Sequence, residues 1–353
     1  MVPTPKTGPQ PVEVSTKESL SSKKAYQLKR KSKKGGMMQW VNLISIEIGL
    51  VYFLYQRMES QQIPFPDWWG LWLGIRGVLY GHVVVFTYHF IRKSYLHGTG
   101  SNIQQSEPNF SWSQELIGHA TRAEAFFMLV PYLSITWLFK LMPESYYDLE
   151  APVSVLNVFL QFAVYDLITY IIHRVQHQVE TVYRTHKDHH AYINPHLFNA
   201  YSGSVQDTTL LILIPLYLTV LVLHLVGVDI HQKDYAWFGC TYANYFMLIH
   251  SEYSNPWDGI FEAIGIGTAR DHNVHHSQLK FNFGHFFMWW DQIFGTYLSH
   301  TKIKSTVAEW TSGALIVIIS LFASPLLQDL QSSLMGRQAT TWSLKSFILI
   351  TAD

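Results

Sequence analysis

The sequence predicts an all-α protein, a multi-span integral membrane helical bundle with a cytosolic histidine-rich di-metal cap. Three observations predict it. Charged residues are only 14% of the 353 residues, against ~25% in ordinary soluble domains, and aromatics reach 15%. Several apolar runs approach the length of membrane helices, with no strand-rich region or fixed-period repeat among them. Of the 18 histidines, eight fall into three boxes with helical spacing.

Net charge is zero but unevenly placed. Residues 1–38 read as a disordered basic cytosolic arm, rich in Pro, Ser, Thr and Lys. Its first 34 positions hold nine basic residues against two acidic ones, and the last basic cluster abuts the first apolar run. The positive-inside rule then places the N-terminus in the cytosol. Nucleic-acid binding is disfavoured, because no folded basic domain stands behind the arm. The single cysteine, Cys240, excludes an internal disulfide and any CxxC site.

Residues 39–150 are expected to hold transmembrane hairpins and a cytosolic connector. Runs 40–55, interrupted by Glu47, and 68–91 pair across a turn containing Pro64 and Pro66. Arg92 and Lys93 then mark the return to the cytosol. Residues 94–123 are polar, and the sequon at Asn109 should go unused there. Runs 125–142 and 152–172 are the third and fourth crossings, so the chain is cytosolic again just before His173. Runs 209–228 and 235–249 form two more crossings or a re-entrant hairpin, and either returns His250 to that side. Residues 301–353 are a C-terminal extension whose apolar stretch, 314–327, is short for a span.

The boxes are His173 and His177, then His186, His189 and His190, then His272, His275 and His276. Residues three or four apart share a helix face, so each box can aim its imidazoles together. Eight are too many for one ion and suit two. Neutral imidazole suits iron, zinc, copper or nickel. His250 ends an apolar run, as the first cluster does, and is the ninth candidate. Lone histidines such as His82, His119 and His285 read instead as packed residues. Asp166 lies on the stripe of His173 and His177, where its carboxylate would take the ring N–H of a ligand and fix its tautomer. Glu252 is expected near the metals or in solvent. Two irons so held would reduce O2 and attack an unactivated C–H bond, whereas zinc would make hydroxide or polarise a carbonyl. No side chain beyond the ligands needs to act as acid or base. A membrane site points to a lipid substrate that arrives laterally.

The ordered set HRVQH, HKDHH, HSEYSNPWD at 250–258, DHNVHHSQLKFNFG at 271–284 and WWDQIFGT at 289–296 resembles the fatty acid hydroxylase superfamily. That superfamily includes sterol desaturases, sterol hydroxylases, methylsterol oxidases and sphingoid-base hydroxylases. The resemblance runs from about Asp166 to Tyr297 and implies a catalytic domain at 151–300. It implies an O2-dependent enzyme of the endoplasmic reticulum membrane with two iron ions, zinc being possible as purified. The substrate would be a lipid, foremost a sterol, hydroxylated or desaturated with electrons from NAD(P)H through cytochrome b5 or a related reductase. All nine histidines match the family's ligand positions, and Asn282 and Asp291 would support the third box. Two departures stand beside His250: relatives often have HSGY where Glu252 makes this HSEY, and Ser254 replaces a histidine of some members. The alternatives are a hydroxylase acting on a fatty acyl chain or sphingoid base, and a non-catalytic zinc-binding membrane lipid sensor.

Overall fold

Helix dominates the computed structural model, which describes residues 37–95, 103, 111–122, 124, 126–192 and 194–300. Nearly all of the basic arm, Asn109 and residues 314–327 lie outside the described residues. In chain order the helices are α1 (Met37–Ser60), α2 (Trp68–Tyr95), α3 (Trp112–Thr121), α4 (Phe126–Leu138), α5 (Val155–Gln178) and α6 (Glu180–His186). Next α7 (Val205–Thr208) runs through a π-helical turn at Thr209–Leu213 into α8 (Ile214–Leu225). Then come α9 (Gln232–Ile249), α10 (Asp258–Ala263), α11 (Ala269–Gln278) and α12 (Trp289–Ile293). Among the described residues the only pairing of β type is an isolated bridge, Ile266 with Phe287.

Three helical stretches are long and apolar enough to cross a membrane: Trp68–Ser94, Val155–Gln178 and Val205–Leu225. They correspond to the second, fourth and fifth expected runs. The other three runs also form helices, which do not meet that measure of length and composition among the described residues. Helix α4 has only 13 residues, roughly 20 Å at 1.5 Å per residue, against a hydrocarbon core ~30 Å thick. Helix α9 begins with Gln232, Lys233 and Asp234, and α1 carries Glu47.

The first turn of α9 is instead tied into the protein. The buried Asp234 carboxylate accepts Ser154 N at 2.7 Å and Asn157 Nδ2 at 3.0 Å. Ser154 in turn caps α5, its side chain accepting Asn157 N. Helix α5 packs on α8 and α9, and α9 packs on α2. Tyr165, Phe162, Leu216, Val220, Phe238 and Phe198 meet there as the main core. Each such side chain contributes roughly 1.5–3 kcal/mol on burial. The outward faces of the long helices stay apolar, with Val83 on α2 and Leu156 on α5 each more than 60% exposed. Such a surface fits a bilayer. The C-terminal ends of α5 and α9 bring His173, His177 and His250 to one end of the bundle, where α6 and α11 meet them.

Candidate metal centre

The nine histidines come together in two groups. His173, His177, His186, His190 and His275 form one, and His189, His250, His272 and His276 the other, with nitrogens within 4.8 Å of one another in each. The second and third boxes are therefore divided between the groups rather than assigned one to each. Helix α6 ends at His186, and the chain turns into a 3-10 turn at His189–Ala191, so neighbouring His189 and His190 face different groups. On α11, His275 and His276 diverge by roughly 100°, the rotation per residue of an α-helix. The helix is held in register by a capping box, Thr268 with Asp271, and stops at Leu279 in the left-handed region at φ 63°.

Hydrogen bonds set the tautomers. Nδ1 of His173 lies 2.7 Å from Phe283 O, that of His250 2.7 Å from Phe246 O and that of His275 2.8 Å from Phe281 O. Nδ1 of His189 and His276 each lies 3.0 Å from a carbonyl, Ser202 O and Tyr192 O, and that of His186 is 2.9 Å from Asp207 Oδ1. Carbonyl and carboxylate oxygens only accept, so each Nδ1 carries the proton and each Nε2 keeps its lone pair. Yet these Nε2 atoms face one another. His173 and His186 are 3.0 Å apart, His189 and His250 3.2 Å, and His250 and His272 2.9 Å. His275 and His190 are 3.1 Å apart, as are His276 and His272. In His173–His186 and His189–His250, one pair from each group, both Nδ1 atoms are bonded to oxygen, and two lone pairs at that distance repel unless a cation stands between them. Nitrogens bound 2.0–2.1 Å from one ion stand roughly 3.0–3.4 Å apart for octahedral to tetrahedral angles. The residues therefore fit two metal ions. Burial, then the neighbouring imidazoles, holds His190, His272 and His276 well below the usual histidine range, the neutral form that binds metal.

The surrounding polar residues depart from expectation in two places. The Asp166 carboxylate meets no ligand ring. It accepts the backbone N–H groups of His285, Phe286 and Phe287 at 3.2, 2.8 and 2.8 Å. The stripe on α5 exists, but its acid anchors the 283–287 turn, which in turn presents Phe283 O to His173. The carboxylate that does orient a ligand is Asp207, on α7, which also accepts Gln176 Nε2 at 3.0 Å. Its sequence signal was slight: an acid at the entry to an apolar run, three residues after a potential cap, Ser204.

Glu252 is buried and points to α2 rather than to the metal groups, pairing with Lys93 Nζ at 2.6 Å and lying 3.8 Å from His89 Nε2. Burial pushes its carboxyl up, but His89 and Lys93 outweigh that and hold it below the ordinary glutamate value. The same face of α2 holds the loop by Arg92 to Ser254 O and Tyr88 Oη to Asn255 Oδ1. Asn282 donates to Asp271 O and Leu298 O from a left-handed backbone at φ 55°. Asp291 accepts Phe283 N, Gly284 N and the Thr296 hydroxyl. Both thus brace the loop that follows the third box. His285, read from sequence as a packed residue, has its ring 4.9 Å from that of His173 and its Nδ1 3.1 Å from Tyr242 Oη.

Residues 158–296 match the model of the fatty acid hydroxylase family. An alternative squalene epoxidase of Phaeodactylum tricornutum is 38% identical over 281 residues, covering 74% of this chain and 79% of that protein. A cholesterol 25-hydroxylase-like protein of Danio rerio is 27% identical, covering 48% of this chain and 66% of its own length. Methylsterol monooxygenase 1 of Gallus gallus is 27% identical, with 47% and 52% covered. No solved structure matches.

Proposed function

This chain belongs to the fatty acid hydroxylase family, an oxidoreductase family, and we propose that it is a di-iron oxygenase that epoxidises a squalene-type isoprenoid hydrocarbon. The single observation that carries the metal chemistry is one pair of facing Nε2 lone pairs in each histidine group, His173 with His186 and His189 with His250. The substrate follows from the relative that aligns over most of both chains, whose name is that of a squalene epoxidase. The balance is one O2, two electrons and two protons, with one oxygen atom entering the carbon–carbon double bond and the other leaving as water. NAD(P)H supplies the electrons through cytochrome b5 or a related reductase.

Two irons, when bound, supply the activation of O2 that an alkene needs. His173, His177, His186, His190 and His275 would hold one, and His189, His250, His272 and His276 the other. The protein's own work is orientation and exclusion. Nδ1–H bonds to five carbonyls and Asp207 fix ring angles in advance. Burial of His173, His250 and His275 to full depth keeps water from the reacting atoms. The site sits at the cytosolic end of a multi-pass protein of the endoplasmic reticulum, a placement supported by the basic residues before α1 and at the end of α2.

A second reading, hydroxylation of a sterol or another lipid, is supported by the cholesterol 25-hydroxylase and methylsterol relatives. One experiment separates them. Iron-loaded protein in lipid nanodiscs receives 18O2, NADPH, cytochrome b5 with its reductase, and either squalene or cholesterol. The expected product is an oxidosqualene carrying one 18O atom. Labelled hydroxycholesterol alone would establish the second reading, and oxygen incorporation into neither lipid would refute both and favour a zinc-binding sensor.

A further inference from the structure

Two cavities adjoin behind the histidines. The inner one, about 320 Å³, has His186 and His189 on its wall, one from each metal group. The outer one, about 540 Å³, lies toward the bilayer and is lined by Leu129, Leu213, Leu216 and the rings of Tyr165 and Tyr242. Tyr201, Thr208 and Ile212 line both, so the two form one passage with these three at its waist.

The passage follows an irregular stretch of backbone. Leu211 borders the inner cavity, Ile212 both, and Leu213 the outer one, and all three belong to the π-helical turn Thr209–Leu213. Such wide turns recur at functional sites. The turn lies inside the candidate span Val205–Leu225. Leu129 and Leu213 at the outer end are only half-buried, and Ile214 and Leu218 beside them are 37% exposed. The outer mouth therefore opens on a lipid-facing wall.

Most polar ends along the outer wall are bonded within the protein. Tyr165 Oη donates to Leu211 O at 3.2 Å and Tyr201 Oη to Ala243 O at 2.8 Å. Tyr242 Oη is bonded to His285 Nδ1, the Thr208 hydroxyl donates to Glu124 O, and His82 Nδ1 donates to Val78 O. The outer cavity therefore offers a ligand mainly ring faces and aliphatic carbons. A hydroxyl buried there would leave its water without a replacement partner.

We propose that this passage seats the hydrocarbon chain of the substrate: an unsubstituted isoprenoid segment enters between Leu129 and Leu213 and threads the waist at Tyr201, Thr208 and Ile212. Its double bond then comes to lie beside His186 and His189. This deepens the oxygenase reading above and rests on it for the identity of the bound chain. Ile212 and Ala243 set how much chain the passage admits.

The test uses binding rather than turnover. A saturated isoprenoid hydrocarbon bearing a diazirine is photolysed with the metal-loaded full chain in nanodiscs without reductant, and adducts are mapped by mass spectrometry. Adducts should fall on Tyr201 and residues 209–216 and be displaced by squalene, with cholesterol at least ten-fold weaker as a competitor. Ile212→Trp and Ala243→Phe, each checked for wild-type metal content, should cut labelling at least ten-fold. The lipid-facing control Ile214→Phe should leave it unchanged. Labelling confined to the outer faces of the spans, labelling indifferent to both passage variants, or equal competition by cholesterol would overturn the proposal. Passage labelling in a protein that oxidises nothing would instead sink the oxygenase reading and leave the seat standing.

Discussion

Asp207→Asn isolates what one carboxylate contributes to a metal group. Asp207 is 6% exposed, and its Oδ1 takes both the His186 Nδ1–H at 2.9 Å and the Gln176 Nε2–H at 3.0 Å. An asparagine oxygen can accept both bonds in the same place, so the change removes charge and keeps shape. A hydrogen bond to a charged group contributes about 1.5–3 kcal/mol, and a neutral one about 0.5–1.5 kcal/mol. The difference, roughly 1–1.5 kcal/mol, corresponds to about ten-fold in affinity, at the low end of the ~10–100-fold cost of losing such a partner. The five-histidine group should thus bind its ion about ten-fold more weakly, while the four-histidine group, bonded to carbonyls, keeps its affinity. Competition against a calibrated chelator, read as ions retained per chain, measures this. Wild-type affinity at both groups would refute the reasoning, because His186 would then owe nothing to Asp207 as a ligand.

Two further outcomes follow from the surrounding charges. Glu252→Gln should lower thermal stability by roughly 3 kcal/mol by leaving Lys93 facing a neutral partner in a largely buried pair. The double variant with Lys93→Met should recover part of that loss, as thermal midpoints in detergent would reveal, and a silent Glu252→Gln would contradict the pairing. Asp258 is pushed up to about 7 by burial, against the Asn255 N–H bond, from an ordinary value of 3.8. The folded state then holds this proton more tightly than the unfolded one, so the contribution to stability falls as pH rises from about 4 and levels off past about 7. Between pH 5 and 7 the loss is about 2 kcal/mol. Asp258→Asn should flatten that slope, and an unchanged pH profile in the variant would show that another group causes it.

Spacing made the ligand candidates legible. A helix repeats its face every three or four residues, so HxxxH and HxxHH announce convergent imidazoles without knowledge of the fold. Their division into two groups was not legible, because it depends on α6 ending at His186 and on the 3-10 turn that follows. The Asp166 stripe was readable, but its partner was not: three backbone N–H groups more than a hundred residues away leave no mark in local pattern. Asp207 shows the converse, a short-range acid whose role appears only when α7 lies against α6. Hydropathy located helices at all six apolar runs, three of which are long and apolar enough by themselves to cross a membrane. The turn of Glu252 toward α2 likewise needed the position of Lys93, 159 residues earlier.

The most direct measurement is the number of metal ions bound per chain after anaerobic loading and gel filtration, by elemental analysis against amino-acid quantitation. Two ions per chain are predicted, falling to one in His189→Ala, which strips the four-histidine group, and to one in His275→Ala, which strips the other. A wild-type protein that holds a single ion, or none, would contradict a two-metal centre.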